Sequence, residues 1–155
     1  MPIFKKKDKK ELKELLYNSY IHDAKFESIK YECESSSLKI RAINPIFNVK
    51  IDLIFRNIII AFTTRGNEFG SNETILSLTA EDDFSYLQNY IQKYNESSED
   101  FLYLLFQMFS GDELHIVSEE VIVEIQPEKK EMVCKTYDAE NRLTSNVDGT
   151  AGISP

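Results

Sequence analysis

The sequence lacks most features from which a location or a chemistry is usually read. No apolar run approaches the ~20 residues that a membrane-spanning helix needs, and no apolar segment of a signal peptide follows the N-terminal lysines. The two cysteines, Cys33 and Cys134, lie far apart and without metal-ligand spacing. We therefore expect a cytoplasmic protein with free thiols, no membrane span and no cofactor.

Catalytic motifs are scarce as well. The glycine-bearing segment 65–72 has neither the lysine and hydroxyl of a P-loop nor dinucleotide spacing. The carboxylates of residues 81–83 have no histidine nearby and are placed to open a helix, so no metal site is predicted there. His22 and Asp23 are neighbours that would point to opposite faces, and we expect turn or helix-end roles for them. His115 is expected to be an ordinary surface histidine.

Positive charge is almost missing from the middle of the chain. The net charge is −8, yet residues 1–65 carry +5 while residues 66–125 contain 13 acids and one lysine. Such a block disfavours nucleic-acid phosphates and favours a basic partner. The alternative interpretation is that these acids cap helices and keep the surface soluble.

The segment 47–64 is the one around which the rest must be arranged. From Phe47 to Phe55 apolar and polar residues alternate, which is the period of a half-buried strand. Residues 58–62 are then apolar on both faces and rich in β-branched side chains, which favours a strand covered on both sides. We expect this segment at the centre of a sheet.

The first part of the chain predicts one helix and a hairpin. Residues 1–8 are expected to be a flexible basic arm, and apolar residues at helical spacing predict an amphipathic helix over 9–20. Residues 25–34 and 38–42 alternate around a serine turn, which indicates a β-hairpin with Ile29 and Tyr31 on its buried face.

The second part predicts further strands and one more helix. Residues 74–78 form a short strand, and Thr79 is the expected N-cap of a helix over 80–94. Residues 101–109 are nearly all apolar, so helix and strand stay open, although aromatic content and the following turn favour a strand. Residues 113–126 are predicted as two strands joined by an acidic turn at 118–120.

These elements together predict an α+β fold. A mainly antiparallel β-sheet or two-layer sandwich would carry an N-terminal helix and one further surface helix. Residues 9–126 would form a single globular domain. Residues 127–155 would add an edge strand near 132–137 and then a loose tail.

Several short motifs resemble a bacterial protein group. They are His22-Asp23-Ala24, a strand with Ile29 and Tyr31, Leu38-Lys-Ile40, Ile54-Phe55-Arg-Asn57-Ile58 and Ser110-Gly111-Asp112-Glu113-Leu114-His-Ile116. This outline, over roughly residues 20–125, is similar to small cytoplasmic proteins of Bacillus and related Firmicutes, including the YxiG-like group, often encoded beside secreted polymorphic toxins. The resemblance implies a β-rich domain and a role in toxin immunity or partner binding, and it supplies no catalytic residues.

Three functions follow as hypotheses. The first is an immunity-type binding protein, not an enzyme, that neutralises a basic toxin domain through acidic residues at the strand turns: Glu68, Glu73, Asp112, Glu113, Glu119 and Glu120. The second is a small-molecule-binding protein or an enzyme whose site is assembled from Asp23, Glu81, Asp82 or His115. The third is a structural subunit of a homo-oligomer, with an exposed apolar strand edge.

Overall fold

A computed structural model describes residues 2–66, 73–93 and 100–127. It contains seven strands and two α-helices, and each helix is preceded by one turn of 3-10 helix. The strands are β1 (Ile3–Lys5), β2 (Lys25–Glu32), β3 (Ser37–Asn44), β4 (Val49–Thr64), β5 (Ile75–Glu81), β6 (Leu102–Met108) and β7 (Glu113–Pro127). The helices are α1 (Lys9–Leu16) and α2 (Gln88–Lys93), after 3-10 turns at Lys6–Asp8 and Ser85–Leu87.

All seven strands belong to one antiparallel sheet, so the α+β prediction is confirmed and its single-sheet form is the observed one. The order is β2-β3-β4-β7-β6-β5, with β1 paired to the second half of β7. The two end strands also meet, because Lys25 of β2 bridges Thr74 and the backbone of Ile75 bonds Asp23 and Ala24. The sheet therefore curls round and closes on itself at this point.

The predicted central strand is confirmed. Val49, Ile51, Leu53 and Phe55 of β4 are buried in the main core, which fills the curled sheet and also takes Leu12 and Leu16 of α1. The prediction is wrong for Phe47, which lies in the turn before β4 and is 52% exposed. The strand begins two residues later than the alternation suggests.

A bulge in β4 bends the sheet. β4 carries one extra residue relative to β7 between Ile58 and Ile60, next to Asn57 with a φ of 54°. Ile58 packs on the main core whereas Ile60 belongs to a second apolar cluster on the opposite face. The two-sided coverage predicted for this segment is found only in part, because Ala61 is exposed and Ile58 is half-buried.

The acidic turn predicted at residues 118–120 is wrong. β7 runs without a break through this segment and pairs with β4 along its length. Its main-core residues change parity, from Leu114 and Ile116 to Val121 and Val123. Because the strand bends, the alternation of buried and exposed residues shifts by one position within β7. This shift produces the sequence pattern that indicated a turn.

Both helices are shorter than predicted. α1 ends at Leu16 instead of residue 20, because the side chain of Asn18 accepts the N–H of Tyr20 and starts a turn. Thr79 is not an N-cap, since β5 continues through Glu81. Phe84 is the N-cap of the 3-10 turn, and the carboxylate of Asp83 just before it accepts the N–H of Ser85 at 2.9 Å, which lowers the pKa of Asp83.

The remaining sequence predictions have mixed outcomes. The hairpin β2–β3 and the strand interpretation of residues 101–109 are confirmed, but Ile29 and Tyr31 are 48% and 55% exposed because β2 is an end strand. Residues 3–8, predicted as a loose arm, form β1 and a 3-10 turn. The edge strand near 132–137 and the tail lie outside the described residues.

Asn44 fixes the loop that closes one end of the sheet. It is fully buried, its amide donates to the carbonyls of Tyr20 and His22, and its Oδ1 accepts the N–H groups of Ile46 and Phe47. The turn predicted at Asn44-Pro45 is thus confirmed. Within the described ranges, no helix is long and apolar enough to cross a membrane.

Candidate functional site

The second apolar cluster forms the base of the candidate site. It lies on the outer face of the sheet, where β6 and the adjoining halves of β4 and β7 are covered by the segment that leads into α2. Phe84, Leu87 and Ile91 are buried there, all three within the segment predicted as a helix over residues 80–94. Tyr94, the last residue of that predicted helix, lies outside the described residues.

His115 occupies the centre of this face and is not a surface residue. Only 3% of its area is exposed, because β7 places it directly opposite Phe62 of β4. The two rings stack at 4.6 Å between centroids with planes 9° apart. Tyr86 stacks near the same imidazole at 5.5 Å, and Tyr103 lies at 5.8 Å.

Both imidazole nitrogens are engaged. Nδ1 of His115 lies 2.6 Å from the Tyr103 hydroxyl, and Nε2 lies 3.0 Å from the Glu113 carboxylate. Burial, followed by the charges of Glu81 and Glu113, raises the pKa of Tyr103 to about 12. Because the Glu113 carboxylate can only accept, the neutral imidazole carries its proton on Nε2 and accepts from the Tyr103 hydroxyl at Nδ1. Nε2–H then donates to Glu113, and His115 in this arrangement has no ring nitrogen left for a metal or a substrate.

Exposed tyrosines and carboxylates surround this buried centre. Tyr86 and Tyr90 are 64% and 53% exposed, and both rings contact Phe62 at 6.4 and 6.0 Å. Glu81 is paired with Tyr103 across β5 and β6. We call this surface the aromatic–acidic face: Phe62, Tyr86, Tyr90, Glu81, Asp83 and Glu113.

A cation already lies beside this face. Nζ of Lys6 is 4.4 Å from the centre of the Phe84 ring, and Phe84 in turn contacts Tyr103 edge-on at 5.6 Å. Negative ring faces and nearby carboxylates both attract positive charge. The face is therefore chemically suited to arginine, lysine or another organic cation.

Those of the predicted partner-binding acids that the structure describes lie at more than one place on the sheet. Glu113 belongs to the aromatic–acidic face. Asp112 adjoins it in sequence and accepts the N–H of Gly66 at 2.6 Å. Glu73 lies at the start of β5, where its carbonyl accepts the N–H of Phe26.

The other predicted acids lie elsewhere. Glu119 and Glu120 are six and seven residues further along β7, roughly 20 Å away at about 3.3 Å per residue. Glu119 accepts a hydrogen bond from Asn57 at 3.1 Å, and Glu120 is paired with Arg56 at 3.2 Å and Lys5 at 3.9 Å. Glu68 lies outside the described residues.

The residues weighed for an assembled enzyme site are only partly brought together. Glu81 and His115 both adjoin Tyr103. Asp82 binds Lys9 and Lys13 of α1, which lowers its pKa to about 2. Asp23, in a turn with a φ of 72°, approaches His22 at 3.7 Å, beyond hydrogen-bond length.

No group of three or more histidine, cysteine, aspartate or glutamate side chains in the described part of the chain is arranged to hold a metal ion. Comparisons with protein-family models, with curated proteins and with solved structures each returned no match. The interpretation of the site rests on its own geometry.

Proposed function

We propose that this chain is a protein-binding module of the immunity type, which neutralises a basic toxin domain in the cytoplasm by covering part of its surface. The observation that carries the proposal is the aromatic–acidic face. Tyr86 and Tyr90 project from it at 64% and 53% exposure, while Glu113 beside them is held by His115. Tyrosines beside carboxylates are a common basis for recognising arginine and lysine.

The rigidity of the base supports this function. Stacking on Phe62 and hydrogen bonds to Tyr103 and Glu113 fix His115, so the rings around it are positioned before a partner arrives. Pre-positioned aromatic side chains lose little conformational entropy on binding. The acidic block, with 13 acids and one lysine over residues 66–125, adds long-range attraction for a basic surface.

The test starts from the genes next to this one and uses a basic domain encoded there. The purified domain is titrated onto the intact protein and onto the double variant Tyr86→Ala, Tyr90→Ala, and the dissociation constant is measured. We expect binding by the intact protein and a loss of at least about tenfold in the double variant. Tyr31→Ala, which removes a tyrosine of similar exposure from β2, is the matched control and should bind normally.

Two outcomes would contradict the proposal. If no basic domain is encoded beside the gene, or if the purified domain does not bind, the immunity function fails. If binding is strong but equal in all three proteins, the partner is held by another surface and the aromatic–acidic face is not the site.

A further inference from the structure

The outer edge of β5 has no neighbouring strand beyond its first residue. β5 is an end strand of the sheet, and the backbone of Ile75 is bonded to Asp23 and Ala24. Within the described residues, no strand continues this pairing along Ser77 to Glu81. This edge lies beside α1, and its Glu81 end is next to Tyr103 of β6.

The chain turns off this edge at Asp23. The Lys25–Thr74 bridge is antiparallel, so the residues before Lys25 would run beside Ser77–Glu81 if they continued β2 in the same register. The φ of 72° at Asp23 directs these residues away instead. His22 instead places Nδ1 2.6 Å from the carbonyl of Leu76, where the N–H of a neighbouring strand would lie. A bulge of β5 relative to β6 between Ile75 and Ser77 lets the adjacent residues Ile75 and Leu76 both turn a backbone group to this edge. Beyond the bulge the backbone groups alternate, so those of Leu78 project to the same side as the Leu76 carbonyl.

A groove follows the open edge. A cavity of about 460 Å³ lies between residues 16–22 and residues 76–79, and another of about 370 Å³ lies between Lys13 and residues 78–82. Tyr17, Leu78 and Thr79 line both cavities, so the two form one continuous groove. Ser77 to Glu81 spans roughly 13 Å at about 3.3 Å per residue, enough for a five-residue extended segment.

The charges at the two ends of the groove differ. At the end near Asp82, the carboxylate is matched by Lys9 and Lys13. At the other end, the carboxylate of Asp23 is 39% exposed and lies 3.7 Å from His22, beyond hydrogen-bond length. A segment running antiparallel to β5 would bring its C-terminal end to this carboxylate, which favours basic residues there.

We propose that the edge of β5 from Ser77 to Glu81 binds an extended peptide segment of a partner protein by antiparallel strand addition. The backbone of the segment pairs with β5, an apolar side chain enters the groove beside Tyr17 and Leu78, and basic residues follow toward its C-terminus. Main-chain pairing supplies affinity in this mode, and the pockets beside it supply selectivity. This site shares Glu81 with the aromatic–acidic face and otherwise uses different residues, so its test does not depend on that face.

The test uses the full-length protein and the synthetic peptide acetyl-Thr-Val-Leu-Val-Thr-Lys-Arg-amide. Two further versions carry N-methyl groups on alternate residues, one on each edge of the extended peptide. Binding is followed by fluorescence anisotropy and by amide hydrogen exchange. We expect micromolar binding, slower exchange at Leu78, and a loss of about tenfold for only one of the methylated versions, because only one edge faces β5.

Charge and groove are tested separately. A peptide ending in Glu-Glu in place of Lys-Arg should bind about tenfold more weakly at low salt. Tyr17→Ala, at a side chain that is 95% exposed and lines both cavities, should weaken binding about fivefold, whereas Tyr31→Ala should not change it. Equal effects of the two methylated edges, or no saturation by ~1 mM peptide, would overturn the proposal.

Discussion

Phe62 and His115 are directly opposite residues of β4 and β7, and their rings lie face to face at 4.6 Å with planes 9° apart. This contact joins the apolar base of the candidate site to its polar network, because the same imidazole is hydrogen-bonded to Tyr103 and Glu113. The pair holds the exposed tyrosines of the aromatic–acidic face on a fixed support.

Removing the Tyr103 hydroxyl tests this support. Tyr103→Phe leaves Nδ1 of His115 buried without its partner at 2.6 Å, which should lower the free energy of unfolding by about 1–3 kcal/mol. Urea denaturation measures the change. Tyr31→Phe removes an exposed hydroxyl from β2 and should change stability by less than about 0.5 kcal/mol. Equal effects of both substitutions would contradict a structural role for the network.

The same tyrosine predicts an alkaline loss of stability. The pKa of Tyr103 is raised from 10.0 to about 12 by burial, so the folded state keeps the phenol proton that the unfolded chain loses above pH 10. The contribution of Tyr103 to the free energy of unfolding is complete below pH 10 and is lost as the pH rises toward 12. Unfolding midpoints across this range should fall less steeply in Tyr103→Phe than in the intact protein, and parallel curves would refute the assignment.

Asn44 should be among the polar residues least tolerant of change. Asn44→Ala removes the partners of the Tyr20 and His22 carbonyls and of two N–H groups, and we expect a loss of at least about 3 kcal/mol in unfolding free energy. Asn18→Ala, which removes one exposed bond to the Tyr20 N–H, should cost about 1 kcal/mol or less. Thermal melts of the two variants decide the comparison, and similar midpoints would contradict it.

Asp82 should make a small contribution to stability at the α1–β5 contact, and this contribution should be lost in acid. Its pKa is lowered from 3.8 to about 2 by Lys13 and Lys9, so its contribution is present above pH 3.8 and disappears as the pH falls toward 2. The carboxylate is 64% exposed, so the effect should stay below about 1 kcal/mol. Asp82→Asn should remove this acid dependence of stability, whereas Glu11→Gln at an exposed position of α1 should not. If stability falls with pH in Asp82→Asn as it does in the intact protein, the assignment is contradicted.

The sequence predicted local elements better than their long-range combination. Val49 to Phe55 alternates because one face of β4 is buried, and Leu87 and Ile91 recur because one helical face is buried; both patterns are local. Ser118 to Glu120 was misread as a turn because a bulge in the partner strand bends β7 while its own pairing continues. The sequence of β7 alone does not show that the neighbouring strand β4 has a bulge.

The candidate site depends on pairing between distant segments, which explains why His115 was missed. Its partners come from β4, β6 and the segment before α2: Phe62, Tyr86 and Tyr103. The alternation of β7 places His115 opposite the main core, a face read as solvent-exposed because nothing in the sequence shows that the segment before α2 covers it. The aromatic residues were visible, but their meeting point required the strand register.

The most direct test of the proposed function is the rate of association with a basic domain encoded beside this gene, measured over a salt series. The triple variant Glu81→Gln, Asp83→Asn, Glu113→Gln keeps hydrogen-bond acceptors for Ser85 and His115 while removing three charges. We expect about tenfold slower association of the triple variant at low ionic strength and the same rate as the intact protein at high salt. Glu32→Gln, Glu119→Gln, Glu124→Gln removes as many charges elsewhere and should associate at nearly the normal rate. Equal slowing in both variants, or none in either, would contradict a binding role for the aromatic–acidic face.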